Sequence, residues 1–447
     1  MVELGSLSAP RIVVEPPGPK VREILKKGGL GLKYEHPVVD EARGIFIRDP
    51  DGNVFIDFIS GRCVTNVGHC HPRLVEALRS QAARGLHGFT EARLKLDERL
   101  SEVTPGRFPK SIFYAQSGSA ANDLGIKVAR WSTGRPYIVA FAGAYHGVTY
   151  GALSISSYRP YMVRGVHPTL PGVFHMPYPH CYRCPFRLEH PDCDLACLRY
   201  MEDHAFRSYL PPEEVAAVVF EPVAGDAGWI VPPDGWLPTL REICDRHGIL
   251  LIAEEVQTGF GRTGRWFAVD HWGVEPDMML LGKSISSGVP NAACVAREEL
   301  SKQTGTGEAI MTPMTFGGSP LGCAAALANI DVIEEERLVE NSAEMGAYMK
   351  RRLTEMMEDH GIIGDIRGLG LLIGVEIVKD RETKRPGLEE AERIRAESFR
   401  RGLYLIHMGA FGTRVLRVAP PLIINREQAD ASLEILEDAI SRAERGP

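Results

Sequence analysis

Five short apolar runs punctuate the middle of the chain: SIFYA (111–115), YIVAF (137–141), AAVVF (216–220), ILLIA (249–253) and DMMLL (277–281). Each is almost wholly apolar and bounded by polar, Gly or Pro residues, as a strand covered by helices on both faces would be. From about residue 70 to 320 such runs alternate with helical patterns, which implies βαβ units and a mainly parallel sheet. Upstream, GIFIRDPDGNVFIDF places two apolar runs around Asp51-Gly52, a hairpin signal. Residues 1 to about 40 are rich in Pro and Gly and read as a loosely attached arm. Beyond residue 320 a long helical stretch (320–360) precedes LLIGVEIV, GLYLI and VLRVAPPLII, a pattern that suggests a smaller α/β domain. The expected division is an arm and part of a small domain over 1–70, a large domain over 71–320 and a C-terminal small domain over 321–447.

Composition narrows the function. The 447 residues are 44% hydrophobic and 24% charged, ample for a substantial core. The net charge of −7, with no basic stripe, argues against nucleic acid as a partner. No apolar run reaches the ~18 residues of a membrane span, and MVELGSLSAP lacks the pattern of a signal peptide. A cytoplasmic protein is expected. Nine cysteines, an odd number, do not read as a secreted disulfide scaffold. Four of them cluster as two short pairs: Cys181 with Cys184, and Cys193 with Cys197. That spacing can hold zinc. It also fits incidental thiols, or a local disulfide, on a proline-rich surface loop. Nothing nearby looks catalytic, and no metal is assigned to the chemistry.

The residues directly after the apolar runs carry the chemical signal. In an open parallel sheet, ligands bind at the carboxyl ends of the strands. Here those ends carry Ser117-Gly118-Ser119, then Tyr145-His146, Glu221, Glu254 to Gln257, and Lys283. Each has a plain structural reading. Ser117 to Ser119 can be a simple helix N-cap, Tyr145 and His146 core aromatics, and Glu254 a helix-start carboxylate. Each also has a ligand reading. Free amides at a helix start bind phosphate, an aromatic ring stacks on a flat cofactor, and a carboxylate faces a cationic ring nitrogen. Lys283 is the sharpest residue, because no lysine occurs between Lys127 and Lys283. An amine held at a confined strand end is a usable nucleophile toward aldehydes. A phosphate site, a stacking ring, a carboxylate and such a lysine together describe pyridoxal phosphate.

The sequence resembles the class III, fold-type I, pyridoxal-phosphate-dependent aminotransferases. That family includes 4-aminobutyrate, ornithine and acetylornithine aminotransferases and related amino-acid racemases. The resemblance runs from about Gly44 to Leu422. Its most specific stretch is EEVQTGFGRTGRWFAVDHWGVEPDMMLLGKSISSGVP (254–290), with support from NVGHCHP, SGSAAND, AYHG, FEPVAGDAGWIVPP, TFGGSP and RVAPPL. It implies a large α/β domain with a mainly parallel, seven-stranded sheet, and a smaller α/β domain drawn from both chain ends. It implies that Lys283 carries the cofactor and shuttles the Cα proton. Glu254 would pair with the pyridinium nitrogen, Val256 and Tyr145 would hold the ring faces, and Gln257 would meet the ring hydroxyl. Gly118 and Ser119 would hold the phosphate, in the loop begun by Ser117, with His146 alongside. Thr315 would reach the phosphate of a neighbouring subunit, so a homodimer is implied. Arg417 would bind the substrate's α-carboxylate, and Glu221 would stand near its side chain.

Three positions depart from the family pattern. Glu254 stands where Asp is usual, Ala120 where many relatives carry Glu, and Val148 where Arg is common. The activity implied is transfer of an amino group from an amino acid or ω-amino donor, of the 4-aminobutyrate or ornithine type, to a 2-oxo acid such as 2-oxoglutarate. The alternative is an amino-acid racemase, which uses the same lysine and cofactor but needs a second acid–base group on the opposite face of Cα. The sequence does not single that group out. A non-catalytic protein on the same scaffold would have no use for Lys283.

Overall fold

The computed structural model describes residues 4–28, 36–302 and 314–446. The chain divides into two compact units, one drawn from residues 1–75, 261–264 and 332–447, the other from 76–260 and 265–331.

In the first unit, β1 (Glu41–Arg43), β2 (Phe46–Arg48) and β3 (Val54–Asp57) form an antiparallel ribbon. Its β2–β3 turn is the hairpin predicted around Asp51-Gly52, with Gly52 at φ +91°, where a side chain would be strained. The N-terminal arm is not loose where it is described. Asn53 Oδ1 accepts the amides of Val13 and Val14 at 2.9 and 3.0 Å. The Asp51 carboxylate accepts those of Lys20 and Val21, both at 2.9 Å, at the start of the helix Pro19–Lys27. Val21 and Leu25 of that helix are buried. Acceptors on the hairpin turn therefore pin a segment whose Pro and Gly content alone suggested freedom.

The second unit holds a seven-stranded sheet built from β4 (Lys110–Ala115), β5 (Tyr137–Phe141), β6 (Val173–Met176), β7 (Val215–Phe220), β8 (Leu250–Glu254), β9 (Met278–Leu281) and β10 (Ala292–Arg297). The order is β4-β10-β9-β8-β7-β5-β6. Only β10 runs antiparallel to its neighbours. All five predicted runs are strands. The two strands not foreseen, VFHM and AACVAR, are short with a central polar residue or rich in Ala, so they carry a weak strand signal. The helix Gly118–Thr133 packs Ala121, Leu124 and Val128 into one core with Val219, Ile252 and Leu280. That packing fixes where the helix begins, and with it the position of Ser117 and Gly118.

The first unit is completed by β11 (Ile363–Leu369), β12 (Leu372–Ile377), β13 (Leu403–Tyr404), β14 (His407–Met408) and β15 (Val415–Val418). Strands β11, β12, β15 and β14 form an antiparallel sheet, and β13 pairs parallel to β3. The helical stretch expected over 320–360 is two helices, Pro320–Glu335 and Leu338–Asp359, broken at Arg337 with φ +54°. Only the first part of VLRVAPPLII is strand, since Pro420 and Pro421 have no N–H for a ladder. Arg262 is fully buried and donates to Leu371 O, Pro420 O, Ser60 Oγ and Asn66 Oδ1. Among the described residues, no helix is long and apolar enough to cross a membrane.

Candidate active site

Four neighbouring strands, β9, β8, β7 and β5, end in the residues singled out from the sequence, and β4 delivers the loop before the helix Gly118–Thr133. Ser117 is the N-cap of that helix, and its hydroxyl accepts the Ala120 amide at 3.3 Å. The amides of Gly118 and Ser119 make no hydrogen bond among the described residues, as expected for the first turn of a helix. They and the helix dipole offer a place for an anion. Gly118 is required here by close approach, because a Cβ would lie 2.9 Å from Val256 Cγ1. Gly147 is required twice over: its φ is +134°, and a Cβ would meet Ser119 Oγ at 2.1 Å. Ser119 Oγ accepts the Val148 amide at 3.2 Å, tying the β5 loop to the helix start.

Glu254, at the end of β8, is 4% exposed. One carboxylate oxygen accepts the Val256 amide at 2.8 Å, and the other meets His146 Nδ1 at 3.0 Å. No lysine or arginine pairs with it among the described residues. His146 is held in turn, its amide by Ser156 Oγ at 2.9 Å and its carbonyl by Asn122 Nδ2 at 3.0 Å. The extra methylene of Glu254 is thus absorbed by a bond to its own loop and a bond to His146.

Glu221 follows β7 and is buried, with Tyr145 N at 3.4 Å from one oxygen and Gly225 N at 3.1 Å from the other. Burial pushes its carboxyl well above the usual carboxylate range, and the charges of Glu254 and Asp226 push it further. Gln257 Oε1 accepts the Trp229 indole N–H at 2.7 Å. Glu255 faces the other way. Burial raises its carboxyl to about 7, against the bonds from Thr258 Oγ1 and the amides of Val269 and Ala268.

Lys283 follows β9 and Gly282, with a left-handed φ of +40°. Its ammonium makes no hydrogen bond or ion pair among the described residues. Two further residues singled out from the sequence are Thr315 and Arg417. Thr315 is exposed and lines a cavity of about 280 Å³ with Leu86, His87, Arg93 and Phe316. Arg417 lies on β15 of the other unit, opposite Gly374. Sequence reasoning missed Asn122, Ser156 and Trp229, which orient the site residues. Their polar groups act on partners 10 to 28 positions away, which no local pattern reveals.

An aldehyde-bearing ring with an anionic group at one end and a basic ring nitrogen fits this set. Unpaired helix-start amides suit the anion, the buried carboxylate without a cation suits the nitrogen, and the unengaged amine suits the aldehyde.

The family model described as "Aminotransferase class-III" matches residues 32–440. The chain belongs to the class III aminotransferase family. It is 42% identical to an alanine/serine racemase of Pyrococcus horikoshii, over 98% of this chain and 94% of that protein. It is 40% identical to an isoleucine 2-epimerase of Lentilactobacillus buchneri, over 93% and 92%. Among solved structures, it resembles a taurine:2-oxoglutarate aminotransferase from Bifidobacterium kashiwanohense in complex with PLP and glutamate. That match has a TM-score of 0.87 and 29% identity, over 97% of this chain and all of that one. This class III member has the fold-type I architecture, and its cofactor is pyridoxal phosphate.

Proposed function

We propose that this chain is a pyridoxal-phosphate-dependent racemase of α-amino acids with uncharged side chains. The observation that carries the reading is its 42% identity, over almost the whole chain, to an alanine/serine racemase. The epimerase at 40% supports it.

When bound, pyridoxal phosphate draws electrons from the substrate's Cα bonds and makes the Cα proton acidic. The chain's own groups do the rest. Gly118 and Ser119 hold the phosphate, with Thr315 serving the site of a second copy in a homodimer. Val256 and Tyr145 hold the ring, and Gln257, set by Trp229, meets its hydroxyl. Glu254, fixed by His146, balances the charge on the ring nitrogen. Arg417 binds the α-carboxylate, a task for which a bidentate guanidinium is suited. Lys283 Nζ takes and returns the proton on one face of Cα. Inversion needs a second carrier on the other face. Two carboxyls stand after β7, Glu221 and Asp226. Both oxygens of buried Glu221 are engaged by backbone amides. Asp226 is half-buried, directly after Gly225, and close enough for its charge to act on Glu221. We assign the second proton to Asp226.

The second reading is an aminotransferase passing an amino group to a 2-oxo acid, favoured by the likeness to the taurine aminotransferase structure. The two separate with L-alanine in deuterated water and no oxo acid. A racemase accumulates D-alanine over many turnovers, with deuterium at Cα. Asp226→Asn then loses inversion by about a hundredfold or more while still exchanging the Cα proton of one enantiomer. Release of a single equivalent of oxo acid per chain, resuming only on addition of 2-oxoglutarate, replaces this reading with the second.

A further inference from the structure

We propose that Arg62 is a second binding group for the substrate's α-carboxylate, in addition to Arg417. The assignment rests on the amino-acid substrate proposed above, and it begins from the backbone. Four consecutive residues, Ser60, Gly61, Arg62 and Cys63, lie in the left-handed region, with φ of +45°, +59°, +68° and +61°. L-residues enter this region singly, because Cβ crowds the carbonyl oxygen that follows. Such strain persists only where the surroundings over-determine the backbone, and it gathers at ligand-binding sites.

Here the surroundings are dense. The buried Asp57 carboxylate accepts the amides of Ile59 and Gly61 at 3.1 and 2.8 Å, and His69 Nε2 meets it at 2.8 Å. Ser60 Oγ donates to Ala419 O at 2.9 Å and accepts from the Arg262 guanidinium at 2.9 Å. The amides of Val64 and Thr65 both donate to Ser60 O, at 2.8 and 3.0 Å. These bonds bury Ser60 and Cys63 and leave the Arg62 side chain exposed.

The guanidinium so presented has no anion. Its Nη2 reaches His36 Nε2 at 3.4 Å, a long hydrogen bond. No carboxylate pairs with it among the described residues. The His36 ring is itself held by the Tyr404 hydroxyl. The turn is stitched to both of its neighbours in the same unit. Ala419 N, two residues past Arg417, donates to Phe58 O at 2.9 Å, and Phe58 N donates to Tyr404 O at 2.9 Å. A guanidinium and a planar carboxylate meet through paired N–H···O bonds. With an uncharged substrate side chain, the α-carboxylate is the anion that this cation takes. An amine lacking that group gains nothing from it.

The test is the binding of two probes to pyridoxal-phosphate-loaded wild type and Arg62→Gly, followed by the change in visible absorption of the cofactor. Glycine accepts the left-handed backbone without penalty, so this variant relieves strain rather than adding it. 2-Methylalanine carries the carboxylate, and tert-butylamine has a methyl group in its place. Neither has a Cα proton, so the result does not depend on whether the site inverts Cα. Failure of the racemase reading would leave it standing. The Kd of 2-methylalanine should rise about tenfold or more in Arg62→Gly, with that of tert-butylamine unchanged. Arg62→Lys, which keeps the charge, should recover part of the loss. The proposal is overturned if Arg62→Gly binds 2-methylalanine as tightly as the wild type. It is equally overturned if both probes weaken alike, the mark of a turn that matters for structure alone.

Discussion

Replacing Glu255 by Gln should make the enzyme more stable above neutral pH and leave it unchanged only below about pH 4.5. Glu255 is fully buried, next in the chain to Glu254 and Val256, and burial raises its carboxyl to about 7. In the unfolded chain the same group titrates near 4.5. A carboxyl whose folded value lies above its unfolded value binds more protons folded than unfolded between the two. Its contribution is therefore intact below about pH 4.5 and is lost as pH rises through about 7. The gap is 7 − 4.5, about 2.5 pH units, worth about 3 kcal/mol at 1.36 kcal/mol per unit. By the same linkage, about 2 kcal/mol of this falls between about pH 5.5 and 8. Gln reproduces the protonated form: its carbonyl accepts the Val269 amide as Glu255 Oε1 does, and its NH2 donates to Thr258 Oγ1. The assay is urea unfolding of wild type and variant with saturating cofactor, across that pH range. The difference between them should open by about 2 kcal/mol. Parallel curves, or a variant that is less stable at every pH, would refute the reasoning.

Three further outcomes follow from named contacts. Gly147→Ala, whose Cβ would lie 2.1 Å from Ser119 Oγ, should weaken cofactor affinity, measured by titrating apoenzyme with pyridoxal phosphate; unchanged affinity would contradict the close packing of the phosphate loop. Trp229→Phe removes the N–H that holds Gln257 and should cost about 1 kcal/mol or more in stability, read from the urea midpoint. Arg262→Met removes four buried hydrogen bonds and should cost about 3 kcal/mol or more; a loss below about 1 kcal/mol would show that the desolvated guanidinium contributes little net stability.

The strand ends were legible because a buried parallel strand is a short apolar run, and its last residue marks where a ligand-facing side chain begins. That logic placed Glu221, Glu254 and Lys283 correctly at the ends of β7, β8 and β9. It failed for β10, whose AACVAR lacks the β-branched content of its neighbours. It also failed for the arm, where Asp51 and Asn53 supply capping bonds from some 30 to 40 positions away. The way Glu254 is accommodated depends on His146, 108 residues earlier, and on a bond back to Val256. Only the folded sheet brings those groups together. Transamination and racemisation were not separated by the sequence either: the second proton carrier proposed above, Asp226, sits in a glycine-flanked loop, and only the folded chain brings its charge to bear on buried Glu221.

The central claim is that this site inverts Cα rather than exporting the amino group. It is tested most directly by recording the visible absorption of the cofactor-loaded enzyme while adding L-alanine alone, with chiral chromatography of the same samples. The expected result is a yellow band that persists while D-alanine rises to equal the L-form, and no D-alanine from Lys283→Ala. A band that bleaches in proportion to enzyme, with one pyruvate released per chain and no D-alanine, would contradict it.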